Sequence, residues 1–116
     1  MMNSQPRFLQ GVYIFTGAGL DNPTPIAADL SYSVPADRRA QLIYFRAGNS
    51  APELVYVMLL RDGKVMRLFP VGAKSHVHVQ LAVVEDLFAA TQLELRIAAP
   101  MDVSGSLVLD IGFLEI

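Results

Sequence analysis

The sequence predicts an all-β domain, a single antiparallel β-sandwich of about eight short strands. Three observations lead there. Apolar and β-branched residues fall in short runs separated by Gly, Pro and Asn clusters, and no 3.6-residue period is sustained. Two runs alternate cleanly, His76-Val77-His78-Val79-Gln80-Leu81 and Gln92-Leu93-Glu94-Leu95-Arg96-Ile97, so that each presents one apolar and one polar face. Finally, Asp62-Gly63 separates two apolar arms, and this dipeptide readily adopts the two positive φ angles of a type I′ hairpin turn.

In chain order, Met1 to Pro6 reads as a flexible leader. Phe8 to Thr16 is rich in aromatic and β-branched residues and stops at Gly17-Ala18-Gly19, which makes it the first strand. Leu20 to Pro25 is a surface loop, because its prolines cannot donate to a ladder. Ile26 to Val34 is a second strand, Asp37-Arg38-Arg39 a turn, and Ala40 to Arg46 a third strand closed by Gly48-Asn49-Ser50. The hairpin spans Glu53 to Val71, and its first arm is apolar on both faces, as a central strand is. Val84 to Ala90 is a short helical turn. The strands from His76, from Gln92 and from Ser106 to Ile116 complete the set.

At 116 residues the chain is one domain, spanning residues 1–116 and long enough for a core without staples. It has no cysteine, so disulfides and thiolate metal sites are out of reach. Nine basic residues against eleven acidic leave no basic stripe, and nucleic acid is not an expected partner. No apolar run reaches the roughly 20 residues of a membrane span. The apolar stretch from Phe8 is broken by Gln10, Thr16 and three glycines before Asp21-Asn22-Pro23, so it reads as a strand rather than a signal sequence, and a cytoplasmic location is expected. The chain is 53% hydrophobic and only 17% charged. That surplus of apolar residues predicts self-association or a partner protein covering an apolar face or edge.

Three groups of residues carry candidate chemistry. His76 and His78 project from one strand face and form a two-imidazole pair to which Glu85 or Asp86 would add an oxygen. This resembles the His-x-His followed by Glu of the cupins, and it implies a small metal-dependent enzyme with a divalent ion as cofactor. The spacing to Glu85 is longer than in that family, and there is no third histidine. Second, His76, His78 and Gln80 with Gln92, Glu94 and Arg96 are the polar faces of two strands. Side by side they line a groove for a polar small molecule or glycan; otherwise they are a solvated face. Third, Asp110 interrupts the apolar terminal strand, and a carboxylate buried there needs hydrogen bonds, an Arg or a metal. No serine has nucleophile-elbow surroundings, and Gly17-Ala18-Gly19 opens no helix, so neither a hydrolase triad nor a dinucleotide fingerprint is present.

The segment Gly105-Ser106-Leu107-Val108-Leu109-Asp110-Ile111-Gly112-Phe113-Leu114-Glu115 resembles the last strand of galactose-binding-like jelly rolls, which include several carbohydrate-binding modules. The strand order over the preceding residues is similar. The resemblance implies a jelly-roll sandwich used for binding rather than catalysis, with a structural calcium near Asp110. Sugar faces usually stack a pyranose on Trp or Tyr, and the chain has no Trp, leaving Tyr13, Tyr32, Tyr44 and Tyr56. The expectation is therefore a non-catalytic, cofactor-free binding or assembly module, with a carbohydrate-binding module and the metal-dependent enzyme as alternatives.

Overall fold

A computed structural model describes residues 4–116, so Met1, Met2 and Asn3 of the expected leader lie outside the described residues. The strands in order are β1 (Gln5–Thr16), β2 (Thr24–Pro25), β3 (Ser31–Ser33), β4 (Ala40–Asn49), β5 (Val55–Arg61), β6 (Lys64–Val71), β7 (Ser75–Gln80), β8 (Asp86–Leu87), β9 (Gln92–Ala98) and β10 (Ser104–Glu115). One five-stranded sheet runs β1-β10-β4-β7 with β8 also on β4; the second runs β2-β9-β5-β6 with β3 also on β9. All pairs are antiparallel. The result is the antiparallel sandwich that the alternating pattern predicts.

Its core is the inner faces of both sheets. Leu107, Leu109, Ile111 and Phe113 point in from β10, Val55, Val57 and Leu59 from β5, and Leu93, Leu95 and Ile97 from β9. Phe45 on β4 and Phe69 on β6 stack across the layers, with ring centroids 3.9 Å apart and planes 6° from parallel. Asp62 and Gly63 take φ of 50° and 81° and join β5 to β6 with Arg61 opposite Lys64, the two-residue turn read from the sequence.

Four expectations are corrected. Gln5 and Pro6 belong to β1, opposite Glu115 and Leu114, rather than to a leader. Of the strand expected from Ile26 to Val34 only β3 pairs with β9, because Leu30 N–H bonds Ala27 C=O in a turn before it; β2, also on β9, falls within the expected loop. The third strand continues past Arg46 to Asn49. The residues read as a helical turn are extended at β8, where Leu87 is buried and pairs with Ala40.

Two buried polar residues hold the ends. Asn49 donates to the Glu53 carbonyl at 3.0 Å and the Gly72 carbonyl at 3.2 Å, and accepts from Ala51 N–H at 2.9 Å. It thereby ties the β4–β5 loop to the β6–β7 loop. Glu115 pairs with Arg7 Nε at 3.2 Å and accepts from the Tyr32 hydroxyl, while the Tyr32 ring stacks on Phe113. Burial pushes the Tyr32 hydroxyl above its ordinary range, and the Glu115 carboxylate adds to the effect.

Core and turn make separable predictions in urea denaturation. Phe45→Ala removes one half of the inter-sheet stack and is expected to cost about 3–5 kcal/mol. Gly63→Ala meets no atom within 4 Å. It pays only for positive φ and is expected to cost about 1 kcal/mol.

Candidate functional site

The site is built on an irregularity in β4. Leu42 and Phe45 are both buried, yet an odd number of positions separates them, so a regular strand would send one of them outward. A β-bulge reconciles the two. Phe113 pairs with Leu42 and the preceding Gly112 pairs with Tyr44, which leaves Ile43 as the extra residue. Ile43 and Tyr44 consequently both reach the outer face of the first sheet. The Tyr44 ring lies on the β10 backbone at Gly112, where any Cβ would fall inside it. Glycine here is a requirement of close approach, and the aromatic ring covers the gap that it leaves in the sheet.

Around this ring the register gathers polar groups. Gln10 on β1, Asp110 on β10, Arg46 on β4 and His78 on β7 occupy one row across the sheet. Asp110 accepts from the Tyr44 hydroxyl at 2.8 Å and Gln10 Nε2 at 3.0 Å on one oxygen; Arg46 Nε, at 3.1 Å, and Nη2 donate to the other. The guanidinium carbon lies 5.5 Å from the centre of the Tyr44 ring, and the His78 imidazole stands edge-on to that ring at 6.0 Å. Gln80 pairs with Tyr44 in the register, and His76 pairs with Gly48. Ring and guanidinium form a rigid, partly apolar platform fixed by one carboxylate. On one side lies an open depression of about 530 Å³ lined by Ile43, Tyr44, Arg46, His78, Gln80 and Leu81. On the other lies an apolar one of about 290 Å³, between Tyr44, Pro6, Phe8 and Leu114.

Electrostatics follow from the same bonds. Burial alone would raise the Asp110 carboxyl, but hydrogen bonds from Arg46, Gln10 and Tyr44, with the Arg46 charge, outweigh it and hold the group below its ordinary value. The Tyr44 hydroxyl moves up, first through burial and then through its bond to Asp110 and that carboxylate's charge.

The residues expected from sequence divide accordingly. His76, His78 and Gln80 do share the outer side of β7, and His78 and Gln80 line the depression. Gln92, Glu94 and Arg96 lie on β9, in the other sheet, so the single groove across two neighbouring strands is not formed. Glu94 accepts from Arg96 Nε at 3.0 Å, and Gln92 donates to Ser33 Oγ at 2.8 Å. Glu85 is not brought to the histidines: it pairs with Arg61 at 3.2 Å and with Arg67. Among the described residues no three His, Asp or Glu side chains gather as a metal-binding group. Asp110 faces outward rather than into the core, because Leu109 and Ile111 take the inward positions, and Arg46 is the cation that it requires. Sequence reasoning missed Arg46 and Gln10 altogether, since both reach Asp110 only through long-range pairing.

No protein-family model matches the sequence, and no curated protein matches it. Solved structures do. The CBM36-1 domain of a multidomain xylanase from the hindgut metagenome of Trinervitermes trinervoides superposes with TM-score 0.59 at 13% identity, over 95% of this chain and 96% of that one. A family 35 carbohydrate binding module from Clostridium thermocellum superposes with TM-score 0.54 at 12% identity, over 94% and 97% of the two chains. The fold is thus the jelly-roll sandwich that the terminal-strand resemblance implied.

The carboxylate at the centre of the site sets a pH dependence. Its folded pKa is depressed, so its stabilising contribution is present above the unfolded value of about 3.9 and disappears as pH falls through the folded value. Asp110→Asn is expected to unfold at lower urea than wild type at neutral pH, with the difference shrinking at acid pH. NMR titration of the Tyr44 ring in the same variant is expected to show its ionisation moving back down.

Proposed function

We propose that the chain is a non-catalytic carbohydrate-binding module that takes a glycan on the outer face of the first sheet. The observation that carries this reading is the Tyr44 ring laid on Gly112 beside the Arg46 guanidinium, with the Tyr44 hydroxyl, Arg46 and Gln10 converging on Asp110. A sugar ring has apolar C–H faces and a hydroxyl rim. It matches a flat partly apolar platform bordered by donors and acceptors, here Gln80 and His78, which can do either, Arg46, which donates, and Asp110, which accepts. The platform is held before any ligand arrives, so little ordering cost is left for binding. The missing tryptophan is met by Tyr44, whose ring rests on the strand at Gly112 with the Arg46 guanidinium over it.

The fold supports the same reading, since the similar solved structures include domains named as carbohydrate-binding modules.

The test is an NMR titration of isotope-labelled protein with a panel of soluble xylan, mannan, galactan and glucan fragments. Saturable shifts are expected at Tyr44, Arg46, His78, Gln80 and Asp110. Tyr44→Ala is expected to weaken binding by about tenfold, or ~1.4 kcal/mol, the scale of uncovering part of an aromatic face. A flat response to the whole panel, or shifts confined to β9, would overturn the proposal.

A further inference from the structure

The first sheet ends at β1, and there it exposes apolar side chains in a group. Phe8, Val12 and Ile14 of β1 and Val108 of β10 are all more than half exposed on the outer face, and Val12 pairs with Val108. Among the described residues β1 pairs with β10 on one side and with no strand on the other. A free strand edge is a row of unpaired N–H and C=O groups, which natural proteins guard.

The other edges of this molecule are guarded. β7 is 6 residues long and exposes His76 and His78 just after Lys74. β6 contains Pro70, Lys64 and Arg67. β2 and β3 are 2 and 3 residues long, and β2 ends in Pro25. β1 has 12 residues, and its one charged side chain, Arg7, is engaged with Glu115 of its own chain. With its one charge paired within the chain and its one proline at its second residue, this long apolar edge is the exception.

We propose that β1 is the docking surface for a second copy of this chain, the two β1 strands pairing antiparallel about a two-fold axis perpendicular to the sheet. Such an axis matches outer side chains with outer side chains, so the positions that pair must be of like parity. Centring the axis on Gln10 sets its amide against the same amide of the second copy. It also sets Phe8 against Val12, Pro6 against Ile14 and Arg7 against Tyr13. Nothing in that register opposes like charges: the two Arg7 positions stand six residues apart along the ladder, or ~20 Å. The edge is therefore complementary to itself in backbone, apolar contact and charge. The pairing also accounts for the apolar surplus in the composition.

Pairing at β1 would give one continuous sheet with two Tyr44 platforms on the same face. Five strand spacings separate the two β4 strands, or ~24 Å. Resting on the glycan-binding reading, this makes the dimer bivalent toward a single polysaccharide chain, a gain in avidity without new contacts.

Sedimentation velocity of the purified chain at micromolar concentration tests the pairing without any glycan. Wild type is expected to be a dimer, and Val12→Lys with Ile14→Lys to raise its dissociation constant by at least about tenfold while circular dichroism stays unchanged. The chain has no native cysteine. Mixed Phe8→Cys and Val12→Cys chains are therefore expected to oxidise to a heterodisulfide, which the Cα separation of facing residues permits. A wild-type monomer at every concentration overturns the proposal, as does a dimer indifferent to both lysines. A disulfide formed by Phe8→Cys alone overturns the register.

Discussion

Leu42 and Phe45 must both be inside, and that demand shapes the molecule on both of its sides. Phe45 joins the sheets by stacking on Phe69, while Leu42 fills the core opposite Phe113. The bulge that lets both face inward turns Ile43 and Tyr44 outward together. The outer face therefore acquires its aromatic platform as a consequence of how the inner face is packed. Gly112 completes the arrangement, since only a residue without Cβ lets the ring settle on the neighbouring strand.

The polar groups then follow from the register. Once β10 pairs with β4 and β1, Asp110 stands between Arg46 and Gln10 with the Tyr44 hydroxyl within reach. A carboxylate with a cation and two neutral donors is satisfied and stays ionised. It fixes the direction of both the ring and the guanidinium, and the platform is rigid for that reason. Whether a sugar uses it depends on the chemistry of a flat apolar surface with polar edges, and the jelly-roll fold alone does not decide that.

Much of the architecture was legible. The Asp62-Gly63 turn, the alternation of the strands from His76 and Gln92, and the apolar arms of the hairpin all rest on local rules that the fold obeys. What was not legible is non-local or masked by composition. Leu42-Ile43-Tyr44-Phe45 is apolar throughout, so no alternation betrays the bulge. Val84 to Ala90 has helix-compatible residues, but burying Leu87 beside Ala40 overrides their local preference. Gln92, Glu94 and Arg96 looked like neighbours of His76, His78 and Gln80 because the strands are close in sequence, whereas the jelly-roll crossing sends them to opposite sheets. The outward direction of Asp110 was readable, since Leu107, Leu109, Ile111 and Phe113 claim the other parity; Arg46 and Gln10 were not.

The most direct measurement is the chemical shift of the Gly112 Hα protons, with nuclear Overhauser contacts from the Tyr44 ring. A ring lying on that backbone shields those protons, so the account predicts upfield Hα resonances that return to ordinary glycine values in Tyr44→Ala. Ordinary values in the wild type, with no contact between ring and glycine, would contradict it.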